Sequence, residues 1–408
     1  MELRAGYKMT EVGVIPEDWE VKTIDKEIDL LTGFPFPSSG YSKSGIRLLR
    51  GSNIKRGITD WGENITQYWE KITVELKQYV LNVGDIVIAM DGSLVGKSFA
   101  RLSSKDLPAL LLQRVTRIRS NKIELGYLKE FICSKYFTSY CETVKTSSAI
   151  PHISPKDIRG FVIPIPPTKA EQTAIATALS DAEALISSLE KLIAKKRNIK
   201  QGAMQKLLNP KEGWEVKRLG DVAFFRRGSF PQPYGLDKWY DDISGYPFIQ
   251  VFDVDDNKKL KADTKRHISK EAQAYSVFVK KGSIVLTIQG SIGRIAITQY
   301  DAFVDRTLLL FEEFKVEMDT YFFMLLVHIL FDKEKELAPG GIIKTITKAV
   351  LSNFKISYPK SKAEQIKIAS VLIDMDAEIT ALETKLEKYR NIKLGMMQNL
   401  LTGKIRLV

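Results

Sequence analysis

Between 169 and 208 apolar residues recur at alternating spacings of four and three, at Ile175, Leu179, Ala182, Ile186, Leu189 and Ile193, and the series stops at Lys196. Between 362 and 401 the same spacing returns at Ile368, Leu372, Met375, Ile379, Leu382, Leu386 and Tyr389. Such a heptad seam predicts a long helix in each stretch, with a narrow apolar stripe that needs a partner helix. Pro166 and Pro167 precede the first stretch, Asn209-Pro210 follows it, and Pro359 precedes the second, which are entry and stop signals. A helix of about 40 residues is roughly 60 Å long, more than a domain of ~150 residues needs for its own core. Each is therefore expected to project and to pair with the other; the alternative is two separate core helices. The remaining chain has short β-type runs, as at 86–90 and 284–288, and few helical stretches, as at 125–144 and 320–337. Gly and Pro punctuate them, which predicts an α+β fold.

Laying 169–208 on 362–401 without a gap gives about 22 identities in 40 positions. KAEQ, RNIK and a closing MQ-x-LL occur in both. Weaker matches extend the alignment: Trp19-Glu-Val-Lys22 with Trp214-Glu-Val-Lys217, Tyr127 with Tyr321, and Gly84-Asp-Ile-Val87 with Gly282-Ser-Ile-Val285. Between these the copies diverge, with IRLLRGSN at 46–53 and PFIQVFDV at 247–254. The plan is a tandem duplication: domain 1–165, helix 166–210, domain 211–358, and helix with tail 359–408.

Composition narrows the function. Over 408 residues, 44% hydrophobic and 10% aromatic content is enough for real cores and excludes a disordered chain. Sixty-one Lys plus Arg against 49 Asp plus Glu give +12, which favours a polyanion, with nucleic acid ahead of an anionic membrane. The excess is spread evenly over the copies, as two equivalent binders would require. No apolar run nears the ~20 residues of a membrane span, and the start lacks a secretory signal, so a soluble cytoplasmic protein is expected. Cys133 and Cys141 lie outside any CxxC or zinc spacing and read as reduced packing residues.

The sequence carries no familiar catalytic motif. Gly92-Ser-Leu-Val-Gly96-Lys97-Ser98 has three residues between its glycines where a phosphate loop has four, and Gly290-Ser-Ile-Gly293-Arg294 lacks the Lys-Ser. A glycine turn between strands is the better reading. His152, His267 and His328 share no metal or triad spacing. The Glu-Val-Lys after each Trp has no Pro-Asp ahead of it, Pro16-Glu17 precedes only the first copy, and a structural strand is the better reading; no Asn/Asp-Pro-Pro-aromatic tetrapeptide or dinucleotide loop occurs. No catalytic centre, metal or cofactor is expected on this chain.

Base readers are polar side chains on loops, with Arg and Lys suited to guanine and Asn and Gln to adenine, while other basic groups hold phosphate. The first-domain candidates are Arg50, Ser52, Asn53, Lys55, Arg56, Lys97, Arg114, Ser147, Ser148 and His152. The second-domain candidates are Arg227, Gln250, Lys258, Lys259, Gln289, Arg294, Arg306, Lys344 and Thr345. A solvated surface residue or local cap is the competing reading for each. Tyr41, Trp61, Phe230 and Trp239 could stack on bases, though core packing is the first reading. Lys195, Lys196, Arg197 and Lys200, with Lys388, Arg390 and Lys393, complement a helix C-terminal dipole or contact phosphate or a partner.

The order WEV, GDIV, glycine turn, a Gln113-Arg114 or Asp305-Arg306 pair, PIPP at 164–167 and the AEQ helix ending in RNIKQGAMQKLL resembles the specificity subunit of type I restriction-modification systems. The resemblance covers essentially the whole chain; Tyr358-Pro359-Lys360-Ser361 departs from the Pro-Pro of the first copy. It implies a non-catalytic subunit with two target-recognition domains, each reading half of a bipartite asymmetric double-stranded DNA target, and two antiparallel helices as the spacer. It implies two modification subunits, which carry S-adenosylmethionine and methylate adenine at N6, and two motor-nuclease subunits. At about 3.4 Å per base pair a 60 Å rod holds the half-sites less than roughly 18 pairs apart. The competing readings are a specificity subunit of a methylase-only complex, a coiled-coil scaffold without DNA recognition, and an enzyme with an unfamiliar site.

Overall fold

The strand Ile86–Ala89 carries four buried apolar residues in a row, and because a strand sends successive side chains to opposite faces it needs cover on both. The computed structural model, which describes residues 5–337 and 347–407, provides it. Ile86 and Ile88 join a core with Ile118, Tyr127 and Phe131, and Val87 and Ala89 join another with Leu49, Ala109 and Leu111. The sheet has five strands, ordered Asp29–Thr32, Val115–Arg119, Ile86–Ala89, Phe99–Arg101 and Arg56–Gly57. A second sheet has Ile46–Leu49 in its centre, antiparallel to Gln67–Trp69 and parallel to Ala109–Leu111. All of this lies in one of two compact units, Met1–Leu192 with Glu383–Val408.

The other unit, Ile193–Leu382, repeats the scheme. Ile284–Thr287 sends Ile284 and Leu286 to a core with Phe322 and Phe323, and Val285 to a core with Ile249, Val304 and Leu308. One sheet runs Ala223–Arg227, Leu308–Phe314, Ile284–Thr287, Ile295–Ile297, and in the other Tyr246–Ile249 runs parallel to Ala302–Val304. The α+β class follows. The glycine segments are turns between antiparallel strands, Ile86–Ala89 with Phe99–Arg101 and Ile284–Thr287 with Ile295–Ile297, and neither leads into a helix as a phosphate loop would. Thr320–Leu337 is one helix, whereas 125–144 is two, because Ser134 stops the first and caps Lys135–Val144 by accepting from the Tyr136 N–H. Both cysteines are free, and burial pushes each thiol up to about 12.

The two long helices are Lys169–Leu207 and Lys362–Leu400, 39 residues each. Each unit takes the start of one and the end of the other. In the first, Glu183 pairs with Lys393, and Glu190 with Arg390 at 2.6 Å. In the second, Lys196 pairs with Glu378 at 2.6 Å, and Lys200 with Asp376. Numbers that rise on one helix as they fall on the other mean antiparallel pairing. These basic groups thus answer carboxylates across the helix pair, which corrects the dipole and phosphate readings for Lys196, Lys200, Arg390 and Lys393.

The seam changes partner along its length. Ile186, Leu189, Ile193, Ile379 and Leu386 are buried along it, and Ala182, Met375, Leu382 and Tyr389 are half-buried. Ile175 and Leu179 instead belong to the core around Tyr127, and Ile368 and Leu372 to the core around Phe322, so the opening turns of each helix face a domain. The closing residues do likewise: Leu400 and Leu401 enter the first unit's core and Leu208 the second's. In the first unit the tail then closes over the domain. Gly403, at φ 66, sits against Pro16 and Trp19, while Arg406 forks to Glu171 at 2.7 Å and to Asp18 at 2.8 Å.

One glutamine per copy ties helix to domain. Gln172 accepts from the Glu124 N–H at 2.9 Å and donates to Pro166 O at 3.1 Å. Gln365 accepts from the Asp319 N–H at 2.8 Å and donates to Pro359 O at 2.9 Å. Glu124 and Asp319 in turn accept from the N–H groups of Tyr127 and Phe322. This corrects the pairing of Tyr127 with Tyr321 by one position, since the fully buried equivalent of Tyr127 is Phe322.

Candidate nucleic-acid interface

In each unit the parallel strand pair and the central strand of the neighbouring sheet end together. Leu112 N donates to Leu49 O at 3.2 Å, and Met90 N to Arg114 O at 2.9 Å. A Cβ built on Gly51 would lie 3.7 Å from the Ala89 Cβ. The loop after Lys135–Val144 docks on the glycine turn, with Gly92 N donating to Pro151 O at 3.0 Å and Ile153 N to Met90 O at 2.8 Å. One polar edge therefore gathers Arg50, Ser52, Lys97, Arg114, Ser147, Ser148 and His152, of which Ser52, Lys97, Arg114, Ser147 and Ser148 are exposed. Arg114, held at φ 66, pairs with Asp91 at 2.7 Å, and Ser148 donates to Ile150 O at 2.6 Å.

The second unit repeats the geometry. Asp305 N donates to Ile249 O at 3.0 Å, and Ile288 N to Thr307 O at 2.9 Å. Gln250, exposed Gln289 and Arg306, and Arg227, whose Nε donates to Arg306 O, share this edge. Gln250 Nε2 donates to Tyr234 Oη at 2.6 Å, Tyr234 donates to Asp305 Oδ2 at 3.1 Å, and the Arg306 guanidinium lies 5.1 Å from the Tyr234 ring centre. Burial, then Asp305, pushes the Tyr234 phenol well above its usual range, so it remains a donor.

The matching bonds also correct the supposed repeat of Gln113-Arg114 in Asp305-Arg306. Met90–Arg114 corresponds to Ile288–Thr307, and Leu112–Leu49 to Asp305–Ile249, so Arg114 aligns with Thr307 and Gln113 with Arg306. Exposed Gln113 was not among the sequence candidates, nor were Tyr234 and Phe252, which is 39% exposed on the turn after Gln250 with Lys265 5.1 Å from its ring centre. A signal for the edge existed in Gly33-Phe-Pro and Gly228-Ser-Phe-Pro. A Cβ on Gly33 would come 2.1 Å from Leu112 O and one on Gly228 2.4 Å from Asp305 O, so only glycine lets these crossing segments approach.

Other candidates do different work. Asn53 is fully buried, accepts from Arg50 N at 3.1 Å and donates to Asp60 O at 2.9 Å; it is a turn clamp and cannot reach a base. Lys55 lies 3.9 Å from Asp60, and Arg56 is exposed on the edge strand of the five-stranded sheet. Arg294 is committed to Asp256 at 2.8 Å. Lys258, at φ 64, turns toward the helix pair, where burial and then Lys200 push its pKa down, with Asp376 and Asp332 as opposing neighbours; it is removed from the edge. Lys259 is exposed on the same 254–260 hairpin. Lys344 and Thr345 lie outside the described residues. Phe230 and Trp239 are core residues, Trp61 donates to Asp106 at 3.2 Å beneath Arg47, and Tyr41 packs on a third apolar cluster, so none of the four is a free stacking platform.

Among the described residues no three His, Cys, Asp or Glu side chains cluster to hold a metal, and no helix is long and apolar enough to cross a membrane. The family described as type I restriction modification DNA specificity domain matches residues 16–200 and 211–389. The specificity subunit assigned to the type I restriction enzyme MjaX of Methanocaldococcus jannaschii is 28% identical over 98% of this chain and 97% of its own length. The EcoBI specificity subunit of Escherichia coli is 27% identical over 70% of this chain and 64% of its own. Among solved structures, the type I S subunit from M. genitalium superposes with a TM-score of 0.63 at 18% identity, covering 98% of both chains.

Proposed function

The chain belongs to the type I restriction modification DNA specificity family, and on that premise we propose that it reads two different DNA half-sites, one at each polar edge, and assembles modification and restriction subunits on the bound target. The observation that carries this is the pair of equivalent edges, built on the same backbone bonds in both units yet lined by different side chains. A repeated frame with changed letters suits a bipartite, asymmetric sequence, because base edges are read by side chains and not by the scaffold. The exposed Lys97 and Arg227 fit phosphate contact beside that readout. The antiparallel helices act in this reading as the spacer and as the platform for the other subunits. Methyl transfer from S-adenosylmethionine to adenine N6, and any cleavage, belong to those subunits, and the whole works in the cytoplasm.

Co-expression with the modification subunit encoded beside it, followed by single-molecule mapping of N6-methyladenine in host DNA, tests the proposal. One bipartite motif that is present only with this chain supports it. Methylation with no chain-dependent motif, from a complex shown to assemble, overturns it. A scaffold without DNA recognition would also lack the steep fall of affinity with salt that phosphate contacts impose.

A further inference from the structure

Ile46–Leu49 and Tyr246–Ile249 each run into a single 3-10 turn, Gly51–Asn53 and Val251–Asp253. The residue entering the turn is Arg50 in one unit and Gln250 in the other, at φ −106, ψ 163 and φ −118, ψ 171. In both, its backbone N–H donates to the side chain three residues on, Asn53 at 3.1 Å or Asp253 at 2.8 Å. The backbone frame is thus held by buried clamps, and the side chain leaving it is free to differ. One strand over, at the end of the parallel partner, the equivalent positions hold Gln113 and Arg306, both exposed. At this pair of equivalent positions each edge therefore holds one arginine and one glutamine, and the two are exchanged between units.

We infer that each half-site contains one guanine and one adenine read by this pair, with the bases exchanged relative to the frame: guanine at Arg50 and adenine at Gln113 in the first, adenine at Gln250 and guanine at Arg306 in the second. The inference rests on the DNA-reading function proposed above. A guanidinium offers two parallel donors, the complement of guanine O6 and N7, whereas a carboxamide offers one donor and one acceptor, the complement of adenine N6 and N7. The side chains are available for this. Among the described residues the Arg50 side chain makes only a long contact, NH1 to Ile65 O at 3.5 Å. Gln250 is oriented by its single bond to Tyr234, which leaves its Oε1 and one N–H to face a base. Arg114, by contrast, spends its guanidinium on Asp91 and has Thr307 as its equivalent, so that position supplies no matching reader.

The test uses the chain co-purified with its modification subunit. Once the wild-type target is mapped, binding is measured to synthetic duplexes with each base pair of the target changed in turn, for wild type, Arg50→Gln, Gln113→Arg and Gln250→Arg. For wild type a roughly 10- to 100-fold preference is expected at each read base. Arg50→Gln is expected to lose the preference for one G·C pair of one half-site and gain adenine there, Gln113→Arg to do the reverse at a nearby pair of that half-site, and Gln250→Arg to act only in the other half-site. Unchanged preference at every position in these variants overturns the inference while leaving the DNA-reading function intact. A wild-type complex with no preferred sequence overturns that function itself.

Discussion

At the joint between domain and helix, Gln172 and Gln365 make the same two bonds to the same backbone groups, with lengths that agree to within a few tenths of an ångström. At the reading edge, Arg50 and Gln250 leave near-identical backbone with unlike side chains. The difference lies in what fixes each side chain. A joint glutamine must satisfy a buried N–H and a buried C=O at once, and few side chains carry both a donor and an acceptor at that reach. An edge residue satisfies nothing that the fold needs, because Asn53 or Asp253 already holds the turn. Side chains bound to their own scaffold stay alike between the copies, and side chains aimed outward are free to diverge.

The comparison can be pressed at four places, in descending order of effect. Leu401 and Leu208 close the two cores from equivalent positions, at 1% and 5% exposure. Leu401→Ala and Leu208→Ala should each cost roughly 3 kcal/mol, read as a lowered urea midpoint, and a neutral result at either would break the equivalence. Asn53→Asp is expected to cost about 2 to 3 kcal/mol at neutral pH, since a buried carboxylate would then face Asp60 O where the amide now donates. Burial already raises the Asp253 carboxyl at the matching clamp, and the new carboxyl should be raised likewise. A folded-state pKa above the unfolded value gives stability that is full below the unfolded pKa, near 4, and lost as pH rises through the folded one. The urea midpoint of the Asn53→Asp chain should therefore approach wild type at about pH 4 and fall away by pH 7.

Gln172→Leu strands the Glu124 N–H and Pro166 O, for about 2 kcal/mol, and Gln365→Leu should cost as much or slightly more, since Gln365 makes the same two bonds and a longer third, to Glu317 O at 3.3 Å. Calorimetric unfolding of both variants checks this, and a large inequality would mean that the joints differ in ways their bonds conceal. Arg50→Gln should change stability by less than about 0.5 kcal/mol by the same measurement. A larger loss would make Arg50 part of the scaffold and remove the contrast between joint and edge.

Much of the scaffold was legible in the sequence. The heptad spacing found both long helices, the short β-type runs at 86–90 and 284–288 found the central strands, and 22 matches or so in 40 positions found the duplication. Register was less legible. Tyr127 was set beside Tyr321 and Arg114 beside Arg306 because like letters attract an alignment, whereas capping and cross-strand bonds show each to be one residue out. Arg50, Gln250, Gln289 and Arg306 are among the residues named from their type that lie at the two edges, and Gln113 lies there without having been named. Asn53, Lys258 and Arg294 were drawn in by residue type, and it is burial or a local carboxylate that takes them away.

By itself the sequence determined periodicity, duplication and charge, since these depend on spacing along the chain and on composition, and it carried the family in its repeated helices. Tertiary structure decided which end of each strand faces outward, which polar groups are clamps and which are free, and that Arg406 locks the tail onto Asp18 and Glu171, 388 and 235 residues away. Those decisions are made by contacts between segments remote in sequence, each fixed by the geometry of a buried donor meeting its acceptor, and no local pattern encodes which remote acceptor that is.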